Sequence, residues 1–213
     1  MKKILNLLKD NKAFQALLNK QNIVVNSQNA EALLIASAFL TLKKNMLIIK
    51  SNQYEANLLY KQVSQMIEDV LYFPVDESYR IESLAASGEL LGQRLSTMYE
   101  LSKEKPHLLI SHGHSVMRYV PSKDVFKKNC MTLKVGDHID VYELQRFLIQ
   151  AGYMHTTRVD QPFYFSKRGG VIDVFSMQYD HPIRIDFFDD EIDYLKFFDE
   201  KTQRTIEKVD EIE

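Results

Sequence analysis

Strands and helices alternate through the first half of this chain, while short strands crowd the second half. The sequence therefore predicts an α/β domain with a parallel sheet, followed by a small antiparallel α+β domain. Two observations carry that expectation. Four short apolar runs, at residues 23–25, 46–49, 70–73 and 108–110, are separated by stretches of helical period, and strict alternation of strand and helix implies parallel pairing through crossovers. Beyond Pro121 one helix remains, and five strand-like segments then follow at spacings that suit hairpins. With 213 residues, 45% of them hydrophobic, the chain can bury a real core in each of two domains.

Within the first half, the clearest helix spans residues 53–67, where Ala56, Leu59, Tyr60, Val63, Met66 and Ile67 fall on one face. Residues 30–42 are apolar almost all round, as expected for a helix packed against a sheet. Leu91, Leu95 and Met98 mark a further helix that ends before Pro106. The boundary is expected at YVPSKD, residues 119–124, giving domains 1–120 and 121–213. In the second half, residues 141–151 form a helix with Asp140 as its N-cap and Gly152 just past its end. Leu144, Phe147, Leu148 and Ala151 make its core-facing stripe. Strands are expected at residues 154–159, 163–165, 171–175, 183–188 and 194–198.

Composition narrows the function. The formal net charge is −2, from 27 basic and 29 acidic residues, whereas a free-standing nucleic-acid binder carries a strong basic excess for its phosphate contacts. Cys130 is the only cysteine, so no internal disulfide can form and a reducing compartment fits. No run of about eighteen apolar residues occurs, and Asn6, Lys9 and Asp10 break any signal-peptide stretch. A cytoplasmic, unanchored protein with no membrane partner is expected.

Catalytic constellations are not found. A nucleotide-binding loop needs glycines whose N–H groups cradle phosphate, then a Lys and a Ser or Thr. Residues 26–32, NSQNAEA, contain neither Gly nor Lys, and Glu31 would repel phosphate. His112 and His114 have a spacing that can bind metal, with His107 nearby, but no Cys or carboxylate joins them locally, so a loop role is preferred. The acidic run Asp189, Asp190, Glu191 and Asp193 lies between two strand-like segments and reads as a solvated turn. Neither enzyme activity nor a cofactor or metal is expected.

One strand stands out. In HPIRIDFFDDE, residues 181–191, alternation sends Ile183, Ile185 and Phe187 to the core and Arg184, Asp186 and Phe188 outward. Phe188 then either presents itself to a partner beside Arg184, or packs under the following turn or against Ile192. Aromatic and Arg side chains dominate the energetics of protein interfaces. Upstream, Arg168 precedes Gly169 and Gly170, which permit a tight turn. If the strand after that turn pairs with the Arg184 strand, Arg168, Arg184 and Phe188 share one patch.

RGGVIDVF (168–175), HPIRIDFFDDEID (181–193) and FFDEKTQRTIEKVDEIE (197–213) also resemble the second domain of the bacterial transcription-repair coupling factor family, Mfd, a module shared with the excision-repair protein UvrB. The likeness runs upstream through TLKVGDHIDVYELQRFLIQAGY, ELLGQRLSTMYEL and FPVDESY, so it covers residues from about 23 to the end. QRTIEK points to Mfd more than to UvrB. The resemblance implies a cut-down, helicase-like first domain (UvrB domain 1a-like) and a second domain (UvrB domain 2-like) by which both families bind UvrA, the damage-recognition subunit. It carries the binding role to Arg168, Arg184 and Phe188. It also implies an N-terminal section of a longer ATP-dependent DNA translocase, which would reach RNA polymerase and DNA through its other domains. Two features of UvrB are missing: the nucleotide-binding loop, replaced by NSQNAEA, and the long Tyr-rich hairpin that probes damage, which nothing between Tyr72 and Pro106 matches. The expected function is recruitment of UvrA to stalled polymerase. The rival is a UvrB-type module that binds damaged DNA directly.

Overall fold

A computed structural model describes residues 7, 8, 10–74 and 88–213. FPVDESY, and part of the stretch read as lacking the damage-probing hairpin, fall partly outside the described residues. The chain divides into two compact units, one running to Pro121 and the other from Ser122 to Glu213, with residues 88–92 grouped with the second.

The first unit contains helices α1 (Lys12–Leu18), α2 (Gln28–Leu42), α3 (Gln53–Ser64), α4 (Gly88–Ser102) and α5 (Gly113–Val116), and strands β1 (Met46–Lys50), β2 (Val70–Phe73) and β3 (Leu108–His112). The strands form a parallel sheet in the order β1-β3-β2. Central β3 buries Leu108 and Ile110 completely against α2 and α3, which is why it reads as an uninterrupted apolar run. Ala32, Ala36 and Ala56 sit in the same cluster without exposure. Their small side chains belong to two helices packed on one core. Helix α2 meets a second cluster through Leu34 and Ala38, which pack with Phe14 of α1. Burial on two sides explains its nearly continuous apolar sequence.

The fourth expected strand, residues 23–25, is not one. Ile23 and Val25 pack onto the Phe14 cluster while Val24 is 89% exposed. The alternation is real, but the apolar residues rest on helices and the segment joins no sheet. Helix α3 also stops at Ser64, short of Ile67, where the Met66 and Ile67 N–H groups both donate to the Val63 carbonyl.

The second unit holds α6 (Lys123–Lys128), β4 (Leu133–Lys134), α7 (Val141–Gln150), β5 (Met154–His155), β6 (Tyr164–Arg168), β7 (Val171–Val174), β8 (Ile183–Phe188), β9 (Glu191–Phe198), β10 (Thr205–Val209) and β11 (Glu211–Ile212). Six strands make one sheet in the order β10-β9-β8-β7-β6-β5, antiparallel throughout except for the β5–β6 pair. Strand β11 returns to pair with β4. The α/β parallel-sheet domain followed by an antiparallel α+β domain is thus the observed fold class.

Asp140 caps α7 as expected, its Oδ1 accepting from the Tyr142 and Glu143 N–H groups at 2.8 and 3.0 Å. The helix buries Leu144 and Leu148 against Phe165, Ile172, Ile183, Ile185, Ile192 and Leu195; Phe147 is half-buried and Ala151 exposed. The strand expected over 154–159 shrinks to two residues, because Thr156 and Arg158 close a local turn through the Thr156 hydroxyl. Strand β10 and the short helix α6 gave no apolar pattern in the sequence, since neither buries a continuous stripe. Ile185 sits at the centre of the second core. Ile185→Ala should cost about 2–5 kcal/mol of stability, read from the denaturant midpoint at unchanged slope.

Candidate functional site

The sheet of the second unit has two unequal faces. On β7 and β8 the registers Ile172↔Ile185 and Val174↔Ile183 line the face that α7 covers. The intervening residues must then point the other way. Asp173 lies opposite Arg184, and Val171 lies opposite both Arg168 and Asp186. On the far side of β8, Arg184 meets Lys196 and Asp186 meets Tyr194, and Lys196 in turn meets Lys208 on β10. Between Asp186 and Phe187 the register shifts because β9 carries one extra residue, Asp193. Strand β8 therefore keeps its alternation to the end, with Phe187 half-buried against the core and Phe188 outward at 77% exposure.

The β6–β7 hairpin turn is Gly169-Gly170. Gly169 has φ +58, and a Cβ on Gly170 would lie 3.1 Å from the Phe187 carbonyl oxygen. That carbonyl belongs to the residue preceding Phe188, and the Phe187 N–H donates to the Gly170 carbonyl at 2.8 Å. A side chain at Gly169 would strain the backbone, and one at Gly170 would crowd the end of β8. Arg168 on β6 and Arg184 and Phe188 on β8 share one face of the sheet, with β7 between the two strands.

Their states differ. Phe188 does not fold under the following turn. Arg168 is exposed, with its Nη2 donating to the Thr157 carbonyl. Arg184 is neither free nor fully exposed. Its Nε and Nη2 donate to the two Asp173 oxygens at 2.7 and 2.8 Å, and its guanidinium stacks 4.7 Å from the centre of the Phe198 ring. Hydrogen bonding to Asp173 holds the Arg184 pKa above its ordinary value, against the opposing effect of burial. The bidentate fork fixes the guanidinium in the plane that a second carboxylate could approach.

Residues 131–213 match the family model described as the UvrB interaction domain. That stretch is similar to UvrB interaction domains. The chain is also similar, along nearly all of it, to proteins named transcription-repair-coupling factor. It is 32% identical to that of Staphylococcus haemolyticus over 98% of the chain and 18% of the relative, and 28% identical to that of Bacillus subtilis over the whole chain and 19% of the relative. A Staphylococcus aureus relative is 31% identical over 97% of the chain. The chain spans less than a fifth of the length of the curated relatives it matches. The resemblance read from RGGVIDVF, IRIDFFDDEID and QRTIEK is borne out.

Within this stretch, the acidic run is a turn only in part: Asp189, at φ +60, and Asp190 join β8 to β9, while Glu191 and Asp193 lie on β9 itself, which starts three residues earlier than the pattern suggested. A strap at residues 136–139 lies along it: the Ile139 N–H donates to the Asp190 carbonyl, and His138 Nδ1 lies 3.0 Å from Asp190 Oδ1. In the first unit, His112 is buried at the end of β3 with Nε2 3.1 Å from Ser115 Oγ. Helix α2 begins at Gln28, and its Glu31 carboxylate accepts from Lys50 Nζ at 2.9 Å. Among the described residues no helix is long and apolar enough to cross a membrane.

The sequence missed Asp173, Tyr194, Lys196 and Lys208. Asp173 was legible only as a polar position in a strand. Its importance comes from lying across from Arg184 with 8% side-chain exposure. Truncating Arg184 leaves that buried carboxylate without its fork, so Arg184→Ala should cost about 1–3 kcal/mol after allowance for solvent at the half-exposed guanidinium. Phe188→Ala should leave the melting temperature at the wild-type value. Thermal unfolding of the two variants side by side checks both expectations, and equal losses would contradict the exposure of Phe188.

Proposed function

We propose that this chain is a recruitment module in transcription-coupled DNA repair, binding UvrA through the sheet face of its interaction domain. The observation that carries the reading is an outward Phe188, two positions along the same strand face from Arg184 and next to the turn that bears Arg168. An exposed aromatic ring on a sheet face that also carries two arginines has the composition of an interface hot spot. The similarity to coupling factors supplies the context. The longer parent would contact RNA polymerase and DNA, and drive ATP-dependent translocation, through domains beyond this section. In this reading residues 1–120 are a degenerate helicase-like domain and residues 121–213 the UvrA-binding domain.

Arg168→Ala and Phe188→Ala should each weaken UvrA binding by about 2–4 kcal/mol, well over tenfold. Both should retain the wild-type melting temperature, and the double variant need not show the sum. Titration calorimetry of purified UvrA against the 213-residue chain reads this directly. Full-strength binding by both variants would move the contact elsewhere.

A second reading, direct recognition of damaged DNA, and a third, ATP hydrolysis, are disfavoured on charge. The net charge is −2, the outward face interleaves Asp186 and Glu191 among its cations, and residues 26–32 offer a phosphate group Glu31 without glycine. The chain should bind a lesion-bearing duplex no tighter than roughly 10⁻⁴ to 10⁻⁶ M at physiological salt, and it should show no micromolar ATP binding. Nanomolar binding to damaged duplex would favour the second reading instead.

A further inference from the structure

We propose that Tyr194 and Lys208 extend the docking surface across β9 and β10, and that the partner protein meets Lys208 with a carboxylate. This rests on the UvrA reading above and adds the chemistry of the partner's side. Lys196 and Lys208 stand directly opposite each other in the antiparallel β9–β10 register. Like charges so placed repel. Lys196 is compensated within the chain, its Nζ 2.5 Å from Asp186 Oδ2, with both side chains largely buried. Lys208 is exposed and has no ion pair among the described residues. Its Nζ lies 4.4 Å from the centre of the Tyr194 ring, and Lys196 Nζ lies 5.0 Å from the same ring.

Two ammonium groups therefore share one aromatic ring, and only one of them has a counter-ion. The ring offsets part of the repulsion. The remaining charge at Lys208 is complementary to an external anion. Its position ties that anion to the surface already described. Tyr194 is 43% exposed and lies directly across from Asp186, between the row of Arg184 and the row of Phe188. From Arg168 on β6 to Lys208 on β10 the face crosses four inter-strand steps, about 19 Å, which fits one protein interface.

Along that strip the Arg184–Asp173 and Lys196–Asp186 pairs are internally neutral. Arg168 and Lys208 are left as cations at the two ends, with Phe188 and Tyr194 between them. A protein surface with an apolar recess and a carboxylate beyond it complements this arrangement. A nucleic-acid backbone does not, because its phosphates would also meet Asp186 and Glu191, the cross-strand neighbours of Tyr194 and Phe188.

The test is calorimetry and salt titration of UvrA with the full chain carrying Lys208→Glu, Lys208→Arg or Tyr194→Ala, with Lys128→Glu on helix α6 as a charge-reversal control. Lys208→Glu should weaken binding about tenfold or more and flatten its salt dependence, Tyr194→Ala about fivefold, while Lys208→Arg and Lys128→Glu bind as wild type. Unchanged thermal unfolding of Lys208→Glu separates lost contact from lost fold. If Phe188→Ala weakens binding while Lys208→Glu and Tyr194→Ala do not, this extension is overturned and the UvrA reading stands. If the wild-type chain itself fails to bind UvrA, the functional reading falls and the extension with it.

Discussion

Everything on the candidate surface depends on the parity of strand β8. Ile183 and Ile185 are drawn to the core by Ile172, Val174, Leu195 and helix α7. Because successive side chains point to opposite faces, Arg184 and Asp186 have no choice but to face outward. The surface is a consequence of the core. The extra residue that shifts the register, Asp193, is carried by β9. A bulge on β8 at the same place would have reversed Phe187 and Phe188, sending the exposed ring inward.

Electrostatics then organises what parity exposes. Arg184 is laid flat by two hydrogen bonds to Asp173 and by the Phe198 ring beneath it, so one guanidinium serves both the sheet and its surface. Holding a long side chain in one geometry before a partner arrives reduces the conformational entropy lost on association. Lys196 is anchored in the same way by Asp186. These pairs lie across neighbouring strands, where charges of opposite sign stabilise the sheet as well. The sheet's own stability and the shape of its outward face are thus set by the same contacts.

The first unit follows a different logic. Its three parallel strands lie under two helices, and Leu108 and Ile110 at the centre are sealed by Ala32, Ala36, Leu59 and Val63. On the edge strand β1, Leu47 and Ile49 remain exposed. Glu31, at the start of α2, is engaged by Lys50 at the end of β1. An ion pair thus joins the helix N-terminus to the strand end.

Much of this was legible in the residues alone. Helices α3 and α7 announced themselves by period, α2 by its nearly continuous apolar run, Asp140 by its place before α7, and the outward set Arg184, Asp186 and Phe188 by alternation with Ile183 and Ile185. Local signals suffice where one face is buried, since period and burial then agree. They failed for residues 23–25, whose alternation is satisfied by helices, and for β10, whose residues bury almost nothing. Pairing partners lie beyond the reach of any local pattern. The sequence by itself determined which residues of β8 face out. Only the tertiary structure decided that Phe188 stands clear of its turn, that Asp173 holds Arg184, and that Lys208 faces Lys196. Each of those depends on the register between consecutive strands, which the packed core fixes and no single strand's pattern states.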